Sequence, residues 1–181
     1  MDYFENIVKR LLEEEGYWVF QSVKVNLTRE EKASIGKYSM PRPEIDIVAF
    51  KPKGNKLLII EAKSYLDSQG VKYTDLNQSY EIPEGRYKLF TCERYRKVVF
   101  NRLVDDFIDK GLLSDCPVIK FGLAAGKFNS KDEDAISALF DKQGWRLITP
   151  QYIAKSIEAL ASSPYENDPY VIASKLIHRL R

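Results

Sequence analysis

At 181 residues the chain is long enough to close one domain around a sizeable core. Apolar residues make up 44% and charged residues 30%, a globular balance, and a net charge of +2 leaves any attraction to nucleic acid to local basic clusters. One histidine, His178, is all that a Ser-His-Asp triad, a histidine zinc site or an HNH-type nuclease would have to build on, which sets those chemistries aside.

In chain order, residues 2–15 carry Phe4, Ile7, Val8, Leu11 and Leu12 at helical spacing, with Asp2 to cap the start and Gly16 to end it. Residues 17–27 are aromatic and β-branched and predict a strand, and the polar, proline-containing stretch 28–43 predicts a loop. Two apolar runs follow, 44–50 and 56–65, joined by a short Lys-Pro-Lys-Gly-Asn turn suited to a hairpin. Both are apolar on both faces, the pattern of a covered, central sheet. Residues 66–93 are tyrosine-rich and irregular, with room for one short helix. Beyond them the pattern predicts a helix over 94–110, a strand over 118–124, a helix over 131–143, a strand over 145–149, and helices over 150–162 and 168–180. The expected fold is α/β, a three-layer α-β-α core with a mixed central sheet over 1–150, extended by C-terminal helices over 151–181 of the same domain.

No apolar run reaches the ~20 residues that span a bilayer, and the acidic N-terminus has no signal-like apolar stretch, so no membrane association and a cytoplasmic location are expected. Cys92 and Cys116 are too few for a disulfide framework and lack zinc-ligand spacing.

The chemistry concentrates in the two apolar runs. Glu61 and Lys63, two apart on a strand, share a face, and Asp46 lies just inside the neighbouring strand. Ionised acids among Ile, Val and Leu cost several kcal/mol unless paired or bound to a metal. One lysine cannot neutralise two carboxylates. Hard oxygen donors at this density suit Mg²⁺ or Mn²⁺, and Lys63 is placed to hold a water or to stabilise charge developing on phosphorus. The chain has one other Asp/Glu-x-Lys triplet, Glu30-Glu31-Lys32, in a polar loop where such charges need no ligand. The bland alternative for Asp46, Glu61 and Lys63 is a solvated hairpin end or a salt bridge with a spare acid.

Asp46, fourteen residues, then Glu61-Ala62-Lys63, each preceded by an apolar strand, resembles the signature of the PD-(D/E)xK phosphodiesterase superfamily. The likeness covers about the first two thirds of the chain, because that superfamily's α-β-β-β-α-β core has the same order of elements. It implies a restriction-endonuclease-like fold and metal-dependent hydrolysis of DNA, endonucleolytic or exonucleolytic. It also implies that Asp46 and Glu61 bind the metal with the backbone carbonyl of Ala62, and that Lys63 is the catalytic lysine. The sequence departs from the name of the motif in having Ile45, not proline, before Asp46.

Members of the superfamily often add an acid from the first helix, and Glu5, which flanks the apolar stripe, is that candidate ligand; its spacing from Asp2 equally fits a capping box. Arg94, Arg96, Lys97 and Arg102, close to Tyr87, Phe90 and Tyr95, are the candidate DNA-binding cluster, alongside Lys51, Lys53 and Lys56 in the hairpin turn. The basic end formed by Lys175, His178, Arg179 and Arg181, the last of which lies outside the residues the structure describes, suits a helix C-terminus without any ligand. Symmetric cutting of two strands would call for a homodimer. The competing reading is a catalytically inactive DNA-binding or protein-interaction module on the same scaffold.

Overall fold

In the computed structural model, which describes residues 2–180, the N-terminal stripe forms α1 (Tyr3–Glu14). The Asp2 carboxylate caps it by accepting from Phe4 N at 2.8 Å. The chain continues through β1 (Trp18–Lys24), α2 (Arg29–Ser34), β2 (Glu44–Lys51) and β3 (Lys56–Lys63). Next come α3 (Tyr73–Leu76), α4 (Lys88–Thr91), α5 (Glu93–Asp109) and β4 (Val118–Ala125). The last part comprises α6 (Glu133–Gln143), β5 (Arg146–Ile148), α7 (Pro150–Ala159), a 3-10 turn (Leu160–Ser162) and α8 (Pro169–His178).

The strands form one mixed sheet in the order β1-β2-β3-β4-β5. β1, β2 and β3 are antiparallel neighbours, whereas β4 and β5 add parallel to β3. Parallel neighbours need a crossover, and the segment carrying α5 and that carrying α6 supply the two. Alternation along the central strands then fills two cores. On one face α1 and α7 cover Ile47, Ala49, Leu58, Ile60, Ala124 and Ile148. On the other, α5 and α6 cover Val48, Phe50, Leu57, Ile59, Phe121 and Leu123. The result is a three-layer α/β fold. Each fully buried aliphatic side chain contributes roughly 1.5–3 kcal/mol, so the strands that carry the candidate site are the best-anchored part of the chain.

The segment expected as loop over 28–43 contains α2. Thr28 accepts from Glu31 N while the Glu31 carboxylate accepts from Thr28 N, a complete capping box. The helix buries no residue, so it has no apolar stripe to announce it. Residues 66–93 hold two short helices, α3 and α4, where one was expected. β1 stops at Lys24, short of the expected 27. The C-terminal helices join the first core: Ile153 and Ile157 pack into it, Arg146 and Tyr152 both donate to Glu15, and Ser174 of α8 donates to Ile157 O at 2.7 Å. Lys175 donates to the carbonyls of Ala161 and Ser163, so that part of the basic C-terminal end is absorbed by helix ends. Among the described residues no helix is long and apolar enough to cross a membrane.

Candidate active site

β2 and β3 form a hairpin whose turn lies at Pro52–Asn55, and Asp46 and Glu61 lie towards its open end. The ladder between β1 and β2 pairs Gln21 with Ile47 and Val23 with Ile45, and skips the pair between them, Ser22 and Asp46. Ser22 is in the left-handed region (φ 50°), a conformation that costs a non-glycine residue about 1 kcal/mol. The side-chain alternation of β2 is displaced at the same place. Ile45 packs with Val48 and Phe50 on the α5 side, although strict alternation would put it with Ile47 and Ala49 on the α1 side. Asp46 sits at this twist, where its charge reaches both layers.

Its neighbours follow from that position. Asp46 Oδ2 accepts from Ala62 N at 2.8 Å and from Lys63 Nζ at 3.2 Å, and the same Nζ donates to Glu61 Oε2 at 3.2 Å. Two carboxylates from adjacent central strands therefore share one ammonium. Among the described residues the second oxygens, Asp46 Oδ1 and Glu61 Oε1, have no hydrogen-bond donor. Among the described residues Glu61 is one of three buried polar or charged side chains, at 7% exposure. Gly126 fixes the far side of the lysine: its N–H donates to Lys63 O at 2.9 Å, and a Cβ at this position would overlap the Ser64 carbonyl oxygen.

The electrostatics record a shortage of positive charge. Burial, and then the Asp46 carboxylate, push the Glu61 carboxyl up to about 7 against the pull of Lys63 and Lys88. Burial and Asp46 push Glu5 up to about 7 as well. Burial alone would lower the Lys63 ammonium, but the Glu61 and Asp46 carboxylates outweigh it and hold it above its ordinary value. The two partners' shifts agree physically: one carboxylate suffices to keep the lysine charged, and the surplus repulsion falls on the most buried acid. Glu5 forms no capping box with Asp2, which caps α1 through Phe4 N, and its carboxyl lies instead in the field of Asp46.

Can these residues hold a divalent ion? Among the described residues no group of three or more His, Cys, Asp or Glu side chains stands in metal-holding geometry. Mg²⁺ needs no such cage, since it usually binds through one or two carboxylates and completes its shell with water and phosphate oxygens. Asp46 and Glu61, with unclaimed oxygens and a net negative site, fit that donor set.

A small cavity of about 170 Å³ opens on Glu61, lined also by Arg86, Lys88, Tyr95 and Val99. Arg86, Lys88 and Tyr95 were not among the residues expected at the catalytic centre. Arg86 and Lys88 come from the irregular segment, where no periodicity predicts which way a side chain faces. Burial, with the Glu61 carboxylate, raises the Tyr95 phenol and keeps it protonated.

The expected basic cluster on α5 is not gathered on one face. Arg96 donates to Leu89 O at 2.9 Å and Phe90 O at 3.2 Å and lies 5.1 Å over the Trp145 ring, a structural role. Arg102 makes a bidentate pair with Glu31 of α2. Lys97 pairs with Glu93 at 2.6 Å on the surface. Arg94 is exposed and makes no ion pair among the described residues. Lys51, Lys53 and Lys56 stand around the hairpin turn, at the end away from Asp46, and Lys51 lies over the Tyr17 ring.

No family model matches the chain, and no curated protein matches it. Among solved structures it is similar to the "Crystal Structure of Protein of Unknown Function AF1548", at 15% identity and a TM-score of 0.38, over 97% of this chain and 76% of that one.

Proposed function

We propose that this chain is a metal-dependent nuclease with a restriction-endonuclease-like core of the PD-(D/E)xK type, hydrolysing phosphodiester bonds in DNA. The observation that carries this reading is the Lys63 ammonium held at 3.2 Å from both Asp46 Oδ2 and Glu61 Oε2, at the open end of two buried strands. Asp46, Glu61 and the Ala62 carbonyl would hold Mg²⁺ or Mn²⁺, with Glu5 as a further acid in the same field. A bound ion of this kind polarises the phosphodiester and makes hydroxide accessible at neutral pH.

The chain's own groups divide the remaining work. Water oxygen adds to phosphorus as the bond from phosphorus to the leaving sugar oxygen breaks, and negative charge gathers on the non-bridging oxygens. Lys63 is protonated, so it acts as a donor to those oxygens or to the water and not as a base. Arg86 and Lys88 put further cationic side chains on the cavity wall beside Glu61, adding to Lys63 where a phosphate would meet the acids.

Purified protein is expected to cut DNA with Mg²⁺ or Mn²⁺ and to stop on addition of EDTA. Glu61→Ala should lower turnover by more than the roughly 10- to 100-fold typical of removing an outer group of a metal site, with its circular dichroism unchanged. Equal cutting by wild type and Glu61→Ala overturns the assignment. DNA binding without cleavage across linear, single-stranded, flapped and four-way substrates supports the inactive-scaffold reading instead.

A further inference from the structure

A second cavity, about 570 Å³, lies directly beside this centre. It shares Gly85 and Arg86 with the small cavity on Glu61, so the two adjoin across these residues. Its volume is within the ~300–1,000 Å³ of small-molecule sites, whereas the smaller one falls below that range. Three tyrosines, Tyr65, Tyr80 and Tyr87, contribute to its wall. Tyr65 follows Lys63 by two residues and is held in the left-handed region at φ 46°, a strained turn at the exit of β3. Tyr87 is buried, and burial together with the Tyr65 phenol beside it raises its phenol and keeps it protonated.

The polar lining sorts the ligand. Asp75 and Glu84 would repel a phosphate, and Arg86, the one lysine or arginine of the lining, stands at the seam with the Glu61 cavity. Carboxylates and the Gln78 amide are instead acceptors for the amino and ring N–H groups of nucleobases, and tyrosine rings offer faces to stack on. Phosphate at the seam and base in the cavity is the division that matches the charges.

We propose that this cavity receives an unpaired nucleobase next to the scissile phosphate, so that the preferred substrate presents a single-stranded, frayed or extruded nucleotide. A base inside an intact duplex stack cannot enter without unpairing. The assignment takes its scissile phosphate from the nuclease reading above, but base binding can be measured without turnover.

The test is fluorescence anisotropy in EDTA with a labelled DNA strand of about 12 nucleotides, within the site sizes of single-strand binders, and with its blunt duplex. Tyr80 is 43% exposed, so Tyr80→Ala should fold, which a thermal melt checks. Tyr80→Ala should weaken single-strand binding by roughly 5- to 100-fold, as loss of one stacking ring does, and lower the single-strand to duplex affinity ratio. Tyr80→Trp should restore both, and Gln78→Ala should weaken the single strand alone. No single-strand binding by wild type, or binding indifferent to Tyr80, overturns the base pocket. Cleavage in Mg²⁺ is read separately. Tyr80-dependent binding without cleavage supports the cavity and sinks the nuclease reading, whereas cleavage with Tyr80-indifferent binding does the reverse.

Discussion

Replacing Glu61 by Gln removes one of the two carboxylates that Lys63 bridges while keeping size and shape. The Glu61 carboxyl is raised from 4.5 to about 7, so the folded state holds its proton more tightly than the unfolded chain does. The sign is therefore opposite to that of an ordinary salt bridge. Below pH 4.5 the group costs nothing; between 4.5 and 7 wild type progressively loses stability; above 7 the whole penalty is present. At 1.36 kcal/mol per unit, the penalty is about 2–3 kcal/mol after allowance for the shared Lys63 charge. In EDTA, Glu61→Gln should gain that amount relative to wild type on moving from pH 5 to pH 8. For a chain of this length it corresponds to roughly 5–10 °C in Tm. Thermal melts of both proteins at both pH values give the double difference, which cancels the fixed cost of the amide. A variant that gains relative stability with rising pH yet loses activity is the mark of a carboxylate kept for chemistry. If Glu61→Gln is less stable than wild type by the same amount at pH 5 and pH 8, Glu61 belongs to a structural ion pair and the reasoning fails.

Lys63→Met should do the reverse, destabilising the metal-free protein by about 3–5 kcal/mol at pH 8 because it strands two acids, and by less at pH 5, where Glu61 is protonated; denaturant melts at the two pH values check this. Gly126→Ala must push the Ser64 carbonyl aside, so a loss of about 1–3 kcal/mol is expected together with slower DNA cutting, read by melts and by cleavage rate. Arg96→Ala should cost about 1–3 kcal/mol by freeing the Leu89 and Phe90 carbonyls, whereas Arg94→Ala should change stability by less than about 0.5 kcal/mol while weakening DNA binding in anisotropy.

The central strands and the grouping of Asp46, Glu61 and Lys63 are legible because a two-residue period puts Glu61 and Lys63 on one face whatever else the chain does. The turn at Lys-Pro-Lys-Gly-Asn then brought Asp46 alongside. What was not legible depends on contacts with no local period. Nothing in the polar Gln21-Ser22 pair announces that Ser22 breaks the ladder and turns β2 at Asp46. The arginines of α5 looked alike in sequence, yet Arg96 is drawn to Trp145 and Arg102 to Glu31, partners 49 and 71 residues away. The Thr28-to-Glu31 capping box was written in the sequence, but a six-residue helix that buries nothing lacks the stripe by which helices are recognised. Arg86 and Lys88 reach Glu61 from the irregular segment, where direction is set by tertiary packing alone.

The most direct test is titration of Mn²⁺ into wild type, Asp46→Asn and Glu61→Gln, followed calorimetrically at pH 8 without DNA. Wild type should bind the ion at a site that both variants lose or weaken by at least tenfold. Equal Mn²⁺ affinity in all three proteins would mean that Asp46 and Glu61 do not share a metal, and the nuclease assignment would fall with it.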